Sequence, residues 1–295
     1  MQSDQFRLNF DTELRHWWFV ARRRILRELA AEVMPPCRDS IVVDVGCGTG
    51  GNIASLADDY TCVGIDPSAE AIELARSRFP GVRFICGRAP DDLDPQARQA
   101  KLLLINDVLE HVPDDFALLS RLLAAAGPGT CFLLTVPAGA SLWSVHDVSH
   151  GHYRRYAMER FERLWQGLPV TVLLLSYFNS RLYSVVKLMR SVGRRRKKAC
   201  GEAGTDVRMP WPLLNGILTR IFQGESRTLI DLLHGRRRRG YRMGVSLVAL
   251  LRRNEGPIAL RERPSDVAAD TFDPAAGESA GNPARTGTSD RGPCR

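Results

Sequence analysis

The chain contains no apolar run of about 18 residues, the length a helix needs to cross a bilayer, so no membrane span is expected. Its N-terminus is polar and lacks the basic-then-apolar order of a secretory signal. The cysteines at 37, 47, 62, 86, 131, 200 and 294 include no C-x-x-C pair and no metal-finger spacing, which argues against a structural zinc module and a dithiol redox centre. Several lie within apolar runs and read as buried free thiols in a reducing compartment, hence a cytoplasmic location. Aromatic residues are sparse in the basic clusters Arg194-Arg195-Arg196-Lys197-Lys198 and Arg236-Arg237-Arg238-Arg239, with only Tyr241 nearby. Single-stranded nucleic acid needs rings to stack on, so nucleic acid is not the expected partner despite a net charge of +8. Such clusters can also meet anionic lipid or an acidic substrate, or remain solvated surface.

What is present centres on Ile41-Val-Val-Asp44-Val-Gly46-Cys47-Gly48-Thr-Gly50-Gly51. The β-branched run reads as a buried parallel strand, and the glycines after it as a tight turn pressed against a ligand. Asn52–Asp58 then has helical spacing. Strand, glycine turn and helix form the first unit of a nucleotide-binding α/β sheet, with the ligand at the strand's carboxyl end. Gly46, Gly48 and Gly51 also satisfy G-x-G-x-x-G, so a nicotinamide site is formally open. Asp44 weighs against it. A carboxylate there repels a pyrophosphate but suits the sulfonium and ammonium of S-adenosylmethionine. A second apolar run, Cys62-Val-Gly-Ile65, ends in Asp66, placed to take two ribose hydroxyls.

These two motifs, D-x-G-x-G-x-G and V-G-I-D, resemble the class I S-adenosylmethionine-dependent methyltransferases. The resemblance covers residues 15–165 well and 170–250 loosely. It implies an α/β fold, a doubly wound, seven-stranded, mostly parallel Rossmann-like sheet, with a helical insert between the last two strands. It implies S-adenosylmethionine as cofactor and a cofactor wall of Asp44, Gly46, Cys47, Gly48, Asp66 and Pro67. Further contacts are implied from Arg88 and Ala89, from Asn106, Asp107 and Val108, and from Trp18 and Arg23 of the N-terminal segment. Where the family usually has an acid to take the adenine amino group, this chain has Arg88, so that contact falls to backbone, Asp91 or Asp92.

Taken in order, residues 1–36 begin polar and continue as His16-Trp-Trp-Phe-Val-Ala-Arg22-Arg-Arg-Ile-Leu, with apolar residues at 18, 19, 25, 26 and 29 on one helix face. The spacing fits a packing helix, and the resemblance makes it a lid over the cofactor. Pro35-Pro36 ends it. Strands are expected at 41–45, 61–65, 82–86 and 101–105, with helices at 50–58, 68–78 and 91–99 between them. The fourth strand runs into Asn106-Asp-Val-Leu-Glu-His111, which lies beside the first strand at the switch point, so His111 is expected on the first turn of a helix below the substrate. A helix at 114–126 and a strand at 131–136 follow.

After Pro137 comes Trp143-Ser-Val-His146-Asp147-Val-Ser-His150-Gly-His152-Tyr-Arg-Arg155-Tyr156. Loops at the carboxyl end of a parallel strand carry the chemistry of open-sheet enzymes. Three assignments compete: groups for methyl transfer, a metal site from His146, Asp147, His150 and His152, or loop polarity with no role. The resemblance extends into this stretch and favours the first, with no metal. His152 is then the base, because an imidazole titrates near neutral pH, with Asp147 orienting it and His111 and Tyr156 as further catalytic candidates. Trp143, His146, His150 and Arg155 are candidate acceptor contacts.

Residues 37–255 would form the main domain, with strands near 171–175 and 243–251 and a helical insert over 178–242. Its apolar stretches, 179–192 and 212–234, could roof the cleft, pair two copies, or lie on a membrane surface. Residues 256–295 are rich in Pro, Gly, Ala and Ser and read as a disordered tail. The expected function is methyl transfer to a small-molecule acceptor, natural-product-like or lipid-linked. A non-catalytic cofactor-binding module and a nicotinamide oxidoreductase are the alternatives.

Overall fold

The computed structural model describes residues 3–196 and 208–265. Its centre is β1 (Ile41–Val45), whose alternating side chains are buried on both faces, as a β-branched run flanked by parallel neighbours requires. The other strands are β2 (Thr61–Asp66), β3 (Arg83–Cys86), β4 (Leu102–Asn106), β5 (Cys131–Pro137), β6 (Val170–Phe178) and β7 (Ser246–Arg253). The helices are α1 (Ser3–Thr12), α2 (Trp17–Val33), α3 (Gly51–Ala54), α4 (Ala69–Arg78), α5 (Asp115–Ala125), α6 (Val145–Ser149), α7 (Met158–Glu162), α8 (Tyr183–Arg196), α9 (Pro212–Gln223) and α10 (Ser226–Leu233).

The seven strands lie in the order β3-β2-β1-β4-β5-β7-β6. β1 pairs in parallel with both β2 and β4, so the chain reverses its direction of winding between β1 and β4 and opens a crevice at their carboxyl ends. β7 runs antiparallel between β5 and β6. The alternation along β1 feeds two cores. Val43 and Val45 face Leu103, Phe132, Phe116 and Leu119; Val42 faces Ile25, Leu29, Leu104, Leu133 and Phe222. Each such fully buried side chain is worth about 1.5–3 kcal/mol.

Several expected elements differ. The 91–99 helix is a single tight turn, Ala97–Gln99, because Pro95 interrupts the run and Asp94 turns its carboxylate onto the Gln96 and Ala97 amides. The helix expected at 50–58 keeps regular form only over α3. The 212–234 stretch breaks at Gly224, where Glu225 accepts hydrogen bonds from the Ser180 and Arg181 amides instead of continuing the helix outward. Part of the polar N-terminal segment is helical, as α1. The tail is ordered at its start. Ile258 packs on the core, Arg261 N–H donates to Ser120 Oγ at 3.0 Å, and Arg263 N–H donates to Asp114 at 3.0 Å. Residues 266–295, the linker at 197–207, and with it Lys197 and Lys198, lie outside the described residues. Cys37, Cys47, Cys62 and Cys131 are free, but Cys37 is exposed, and Cys86, at the partly exposed end of edge strand β3, is disulfide-bonded. The expectation of buried free thiols therefore fails at both.

Two features position the site. α2 lies on a sheet face rather than only above the cofactor, burying Ala21, Ile25, Leu26, Leu29 and Ala30, while its first turns reach the crevice. The insert covers α2 from outside: Asn215 of α9 accepts from the Trp17 amide and donates to the Arg15 carbonyl, both at 2.8 Å. The insert's outer side is apolar and exposed, with Leu188, Trp211 and Leu213 at 66%, 73% and 76%. No helix among the described residues is long and apolar enough to cross a membrane.

Candidate active site

The glycine turn closes by Gly46 and Cys47 amides donating to the Ile65 carbonyl at 2.8 and 3.1 Å, which ties the end of β1 to β2. Gly46 has φ +69, and a Cβ there would meet Val108 Cγ2 at 2.6 Å, so the approach of β4's loop requires glycine. Gly48 has φ +54 and open space where a Cβ would stand. Its amide donates to Asp66 Oδ2 at 3.0 Å, and the Ser68 amide donates to Oδ1 at 2.8 Å. Asp66 is thus aimed before any ligand arrives, with lone pairs to spare. Cys47 instead turns its thiol into the core, where burial and the Asp44 and Asp66 charges push its pKa up.

Asp44 is buried and its Oδ2 has no hydrogen-bond partner. Burial pushes its carboxyl up to about 8; Arg22 opposes this, while Asp66 and Glu13 add to it. A cation placed here would restore the charged form. Across the crevice, Asn106 Nδ2 is also buried and unpartnered. An orphan acceptor and an orphan donor thus stand on the neighbouring strands β1 and β4, and Cβ-free space follows β1 at Gly48. That combination fits S-adenosylmethionine, whose ammonium needs an acid and whose bulk needs the glycine space.

The N-terminal segment contributes through Arg22 rather than Arg23. Arg22 is buried, pairs with Asp107 Oδ2 at 2.7 Å, donates to Thr135 Oγ1 at 2.7 Å, and lies 5.1 Å from the Trp18 ring centre. Trp18 is therefore at the crevice through Arg22. Arg23 points instead to the Glu13 carbonyl at 2.6 Å, outside the turn. Glu13, buried against Thr49 and Gly51 and paired with Arg78 at 3.1 Å, closes the amide end of α3. Asp107 holds φ +55, a strained value for a non-glycine residue; its amide donates to the Thr135 carbonyl at 2.9 Å and its carboxylate accepts from the Thr135 hydroxyl at 3.2 Å.

Around the adenine end, Arg88 is exposed, and its amide donates to Asp92 Oδ2 at 2.7 Å; Ala89 is buried before a cis bond to Pro90. Asp91 turns away to Arg121, at 2.6 Å, which leaves Asp92 as the acid beside the end of β3. Pro67 follows Asp66 into α4.

The loop after β5 folds around Asp147, which is fully buried. Its Oδ1 accepts from His152 Nδ1 at 3.0 Å and from Arg155 Nε at 2.7 Å, and its Oδ2 from the Ser144 amide at 2.9 Å. Arg190 of α8 approaches to 3.9 Å. Burial alone would raise the Asp147 carboxyl, but His152, Arg155 and Arg190 outweigh it and hold it well below the usual range. Four imidazoles gather beside it. The His111 and His152 rings meet edge to face at 4.7 Å, and His146 and His150 lie 4.1 Å apart. Burial pushes His150 down to about 4 and His111 and His146 well below their ordinary value. The metal set considered from sequence, built on Asp147 with His146, His150 and His152, does not form, because both Asp147 oxygens are spent on the protein.

His111 lies on a tight turn, Leu109–His111, not on α5, because Asp114 caps α5 by accepting from the Ala117 amide at 2.9 Å. Trp143 is half-buried at the start of the loop. Two expected site residues are placed as props. Tyr156 is wholly buried and donates to Asp115 Oδ2 at 2.7 Å. Arg155 is buried between Asp147 and the Ala138 carbonyl, at 2.8 Å from the latter. Arg154 also pins the loop, reaching the Leu109 carbonyl at 3.0 Å.

Sequence reasoning passed over Arg22, Glu110 and Arg190. Arg22 could have been found: it lies on the stripe of Trp18, Ile25 and Leu29, one helical face, whereas Arg23 does not. Glu110 carries no signal of its own, being simply the residue before His111. It is 0% exposed, neither carboxylate oxygen has a hydrogen-bond partner, and burial with the Asp107 charge pushes its carboxyl well up.

A doubly wound sheet with a seventh strand running antiparallel between β5 and β6 defines a Rossmann-like class of fold. The family described as a methyltransferase domain matches residues 14–187, more than half of the chain, and the chain belongs to that family. S-adenosylmethionine is accordingly its cofactor. Among curated proteins it is similar to trans-aconitate 2-methyltransferase of Variovorax paradoxus (strain S110), 37% identical over 39% of this chain and 45% of that one. It is also similar to the enzyme of that name from Rhodopseudomonas palustris (strain HaA2), 30% identical over 49% of this chain and 54% of that one. The chain spans about half the length of these relatives. Among solved structures, the plantazolicin methyltransferase BpumL in complex with SAH superposes with a TM-score of 0.51 at 15% identity, over 85% of this chain and 90% of that one. The partner of the Haloferax volcanii Trm112 methyltransferase activator gives 0.51 at 15% identity, over 86% and 95%. At that identity the two structures speak to the fold.

Proposed function

We propose that the protein transfers a methyl group to a small-molecule acceptor bound between the cofactor crevice and the histidine loop. The observation that carries this is the buried Asp147–His152 pair, 3.0 Å apart, on the loop that follows β5. Bound S-adenosylmethionine supplies an activated methyl on a sulfonium. The chain does the rest. Asp44 takes the cofactor's ammonium, Asp66 its ribose hydroxyls and Asp92 its adenine amino group. Asn106 Nδ2 donates into the same crevice, and Trp18 with Arg22 covers it.

Asp147 fixes which nitrogen of His152 carries the proton, leaving the other to receive the acceptor's proton, and its charge stabilises the imidazolium that results. His111, His146 and His150, kept neutral by burial, line the pocket without repelling a sulfonium. Holding acceptor and methyl in line is the larger part of the rate. Arg155, Arg154 and Tyr156 keep the loop in shape. The relatives' names point to a small carboxylic acid as the acceptor of those proteins, but their match spans too little of the chain to carry it over, so the acceptor is to be found by assay.

Purified protein incubated with methyl-labelled S-adenosylmethionine and fractionated metabolite extract should place label in a small-molecule fraction. Cofactor binding without label in any fraction would make the protein a binding module instead. Tight NADH binding with no binding of S-adenosylmethionine would overturn the cofactor assignment too.

A further inference from the structure

We propose that Glu110, His111 and His152 form a binding site for a divalent cation on the acceptor side of the crevice. One ligand atom from each lies within 4.8 Å of the others. Each of the three is prepared for ligation in a different way. Glu110 is wholly buried and both of its oxygens lack a hydrogen-bond partner, a condition that costs free energy unless something charged faces it. His152 gives Nδ1 to Asp147 at 3.0 Å, which leaves Nε2 as the free lone pair and supplies the carboxylate behind the imidazole that ligating histidines usually have. His111 is held by a hydrogen bond to the His150 backbone, which likewise fixes its ring and leaves one nitrogen.

The donor set selects the ion. Two imidazoles and one carboxylate suit zinc and its transition-metal neighbours better than magnesium or calcium, which prefer oxygen alone. Three protein ligands leave an open coordination position, the pattern of a catalytic rather than a structural site. Bond lengths near 2.0–2.1 Å bring tetrahedral ligand atoms to about 3.4 Å apart, so the three side chains must draw in by roughly 1 Å on binding. The nearby arginines do not oppose the ion alone: Arg22 is paired with Asp107 at 2.7 Å, and Arg155 with Asp147 at 2.7 Å, with Arg190 at 3.9 Å from the same acid.

The ion would keep residual positive charge, which calls for an anionic oxygen in its open position. The acceptor class that matches this charge is an ionisable hydroxyl, an enol or a carboxylate. This inference rests on the proposed reading of the histidine loop as the acceptor side, and amends one role in it. With an ion seated, His152 acts through that ion rather than as a free base.

The test uses the full chain, dialysed against a chelator and titrated with zinc by calorimetry and with cobalt(II) by visible absorption. One ion per chain is expected, with a tetrahedral or five-coordinate cobalt spectrum. Glu110→Gln and His111→Gln should each weaken binding by at least about tenfold. His234→Ala, an exposed histidine that bonds Glu32, should leave it unchanged. Circular dichroism checks that each variant folds; either of the two site variants suffices. No stoichiometric binding by the wild-type chain, or equal binding by a folded Glu110→Gln or His111→Gln, overturns the site. Full methyl transfer by the chelated protein removes the ion but keeps the proposed function. Ion binding without transfer to any acceptor does the reverse.

Discussion

The two walls of the crevice are built by opposite means. The proposed cofactor wall is mostly backbone: glycines at 46 and 48 with positive φ, amides of Gly48 and Ser68 aiming Asp66, and the loop after β4 pressed so close through Val108 that Gly46 admits no Cβ. The proposed acceptor wall is side chain: Asp147 gathers His152, Arg155 and Arg190 from the loop and from α8, more than forty residues on. A backbone wall is fixed by conformation and tolerates few residues. A side-chain wall is fixed by a charge network, which can be rebuilt around another acceptor while the first wall stays as it is.

This difference can be broken from either side. The largest effect is expected from His152→Ala. Loss of the group that handles the acceptor's proton should lower kcat by about 10²–10⁴-fold. Cofactor affinity should stay within about twofold. Steady-state kinetics together with calorimetry separates the two, and near-normal turnover from pH 6 to 9 would make His152 structural. Next comes Asp66→Ala on the opposite wall. Losing its charge-assisted hydrogen bonds should weaken S-adenosylmethionine by about 1.5–3 kcal/mol, roughly ten- to a hundredfold, in calorimetry. Unchanged affinity would show that the ribose sits elsewhere.

A smaller effect concerns pH. Burial raises the Asp44 carboxyl to about 8, against the pull of Arg22, so in the free protein it is mostly protonated at pH 7. A cationic ligand needs it ionised. Binding below that pKa therefore releases a proton, and affinity should rise by about tenfold from pH 6 to pH 7. Proton release read from calorimetry in buffers of different ionisation enthalpy checks the sign, and Asp44→Asn should remove the dependence. The smallest functional effect is expected from Tyr156→Phe. It removes one buried hydrogen bond to Asp115, which Arg160 still holds with two contacts at 2.8 Å. Stability should fall by about 2 kcal/mol in thermal or urea unfolding, with kcat unchanged. A kcat loss would restore Tyr156 to the chemistry.

The same contrast explains what was legible in the sequence. Asp44, Gly46, Gly48 and Asp66 answer local demands of a strand end and a tight turn, with the Gly48 amide bonded to Asp66, and their spacing displays that turn directly. The first five strands follow from one alternation of apolar runs, and the seven-stranded sheet from the resemblance. The histidine loop could be located, because it follows β5, but not resolved. Nothing near Arg155 and Tyr156 in the sequence says that Asp147 and Asp115 will absorb them. Glu110 becomes notable only once the loop folds over it and no donor arrives. Arg22 and Arg23 differ by one residue, or about 100° of helix, and only the apolar stripe separates them. The 91–99 run forms only the Ala97–Gln99 turn because Asp94-Pro95 outweighs the flanking periodicity.

Asn215 has a consequence for how the protein can be cut. It holds the start of α2 through Trp17 and Arg15, about two hundred residues away in the chain, and Arg24 and Glu32 of the same helix bond Gln223 and His234. The insert therefore completes the entry helix that brings Arg22 to Asp107 and Thr135, at the ends of β4 and β5. Excising it to obtain a minimal core would leave α2 without these partners and the cofactor wall without its cover. Swapping inserts between proteins of this architecture would call for exchanging the first thirty or so residues as well, since the two segments behave as one module assembled from opposite ends of the chain.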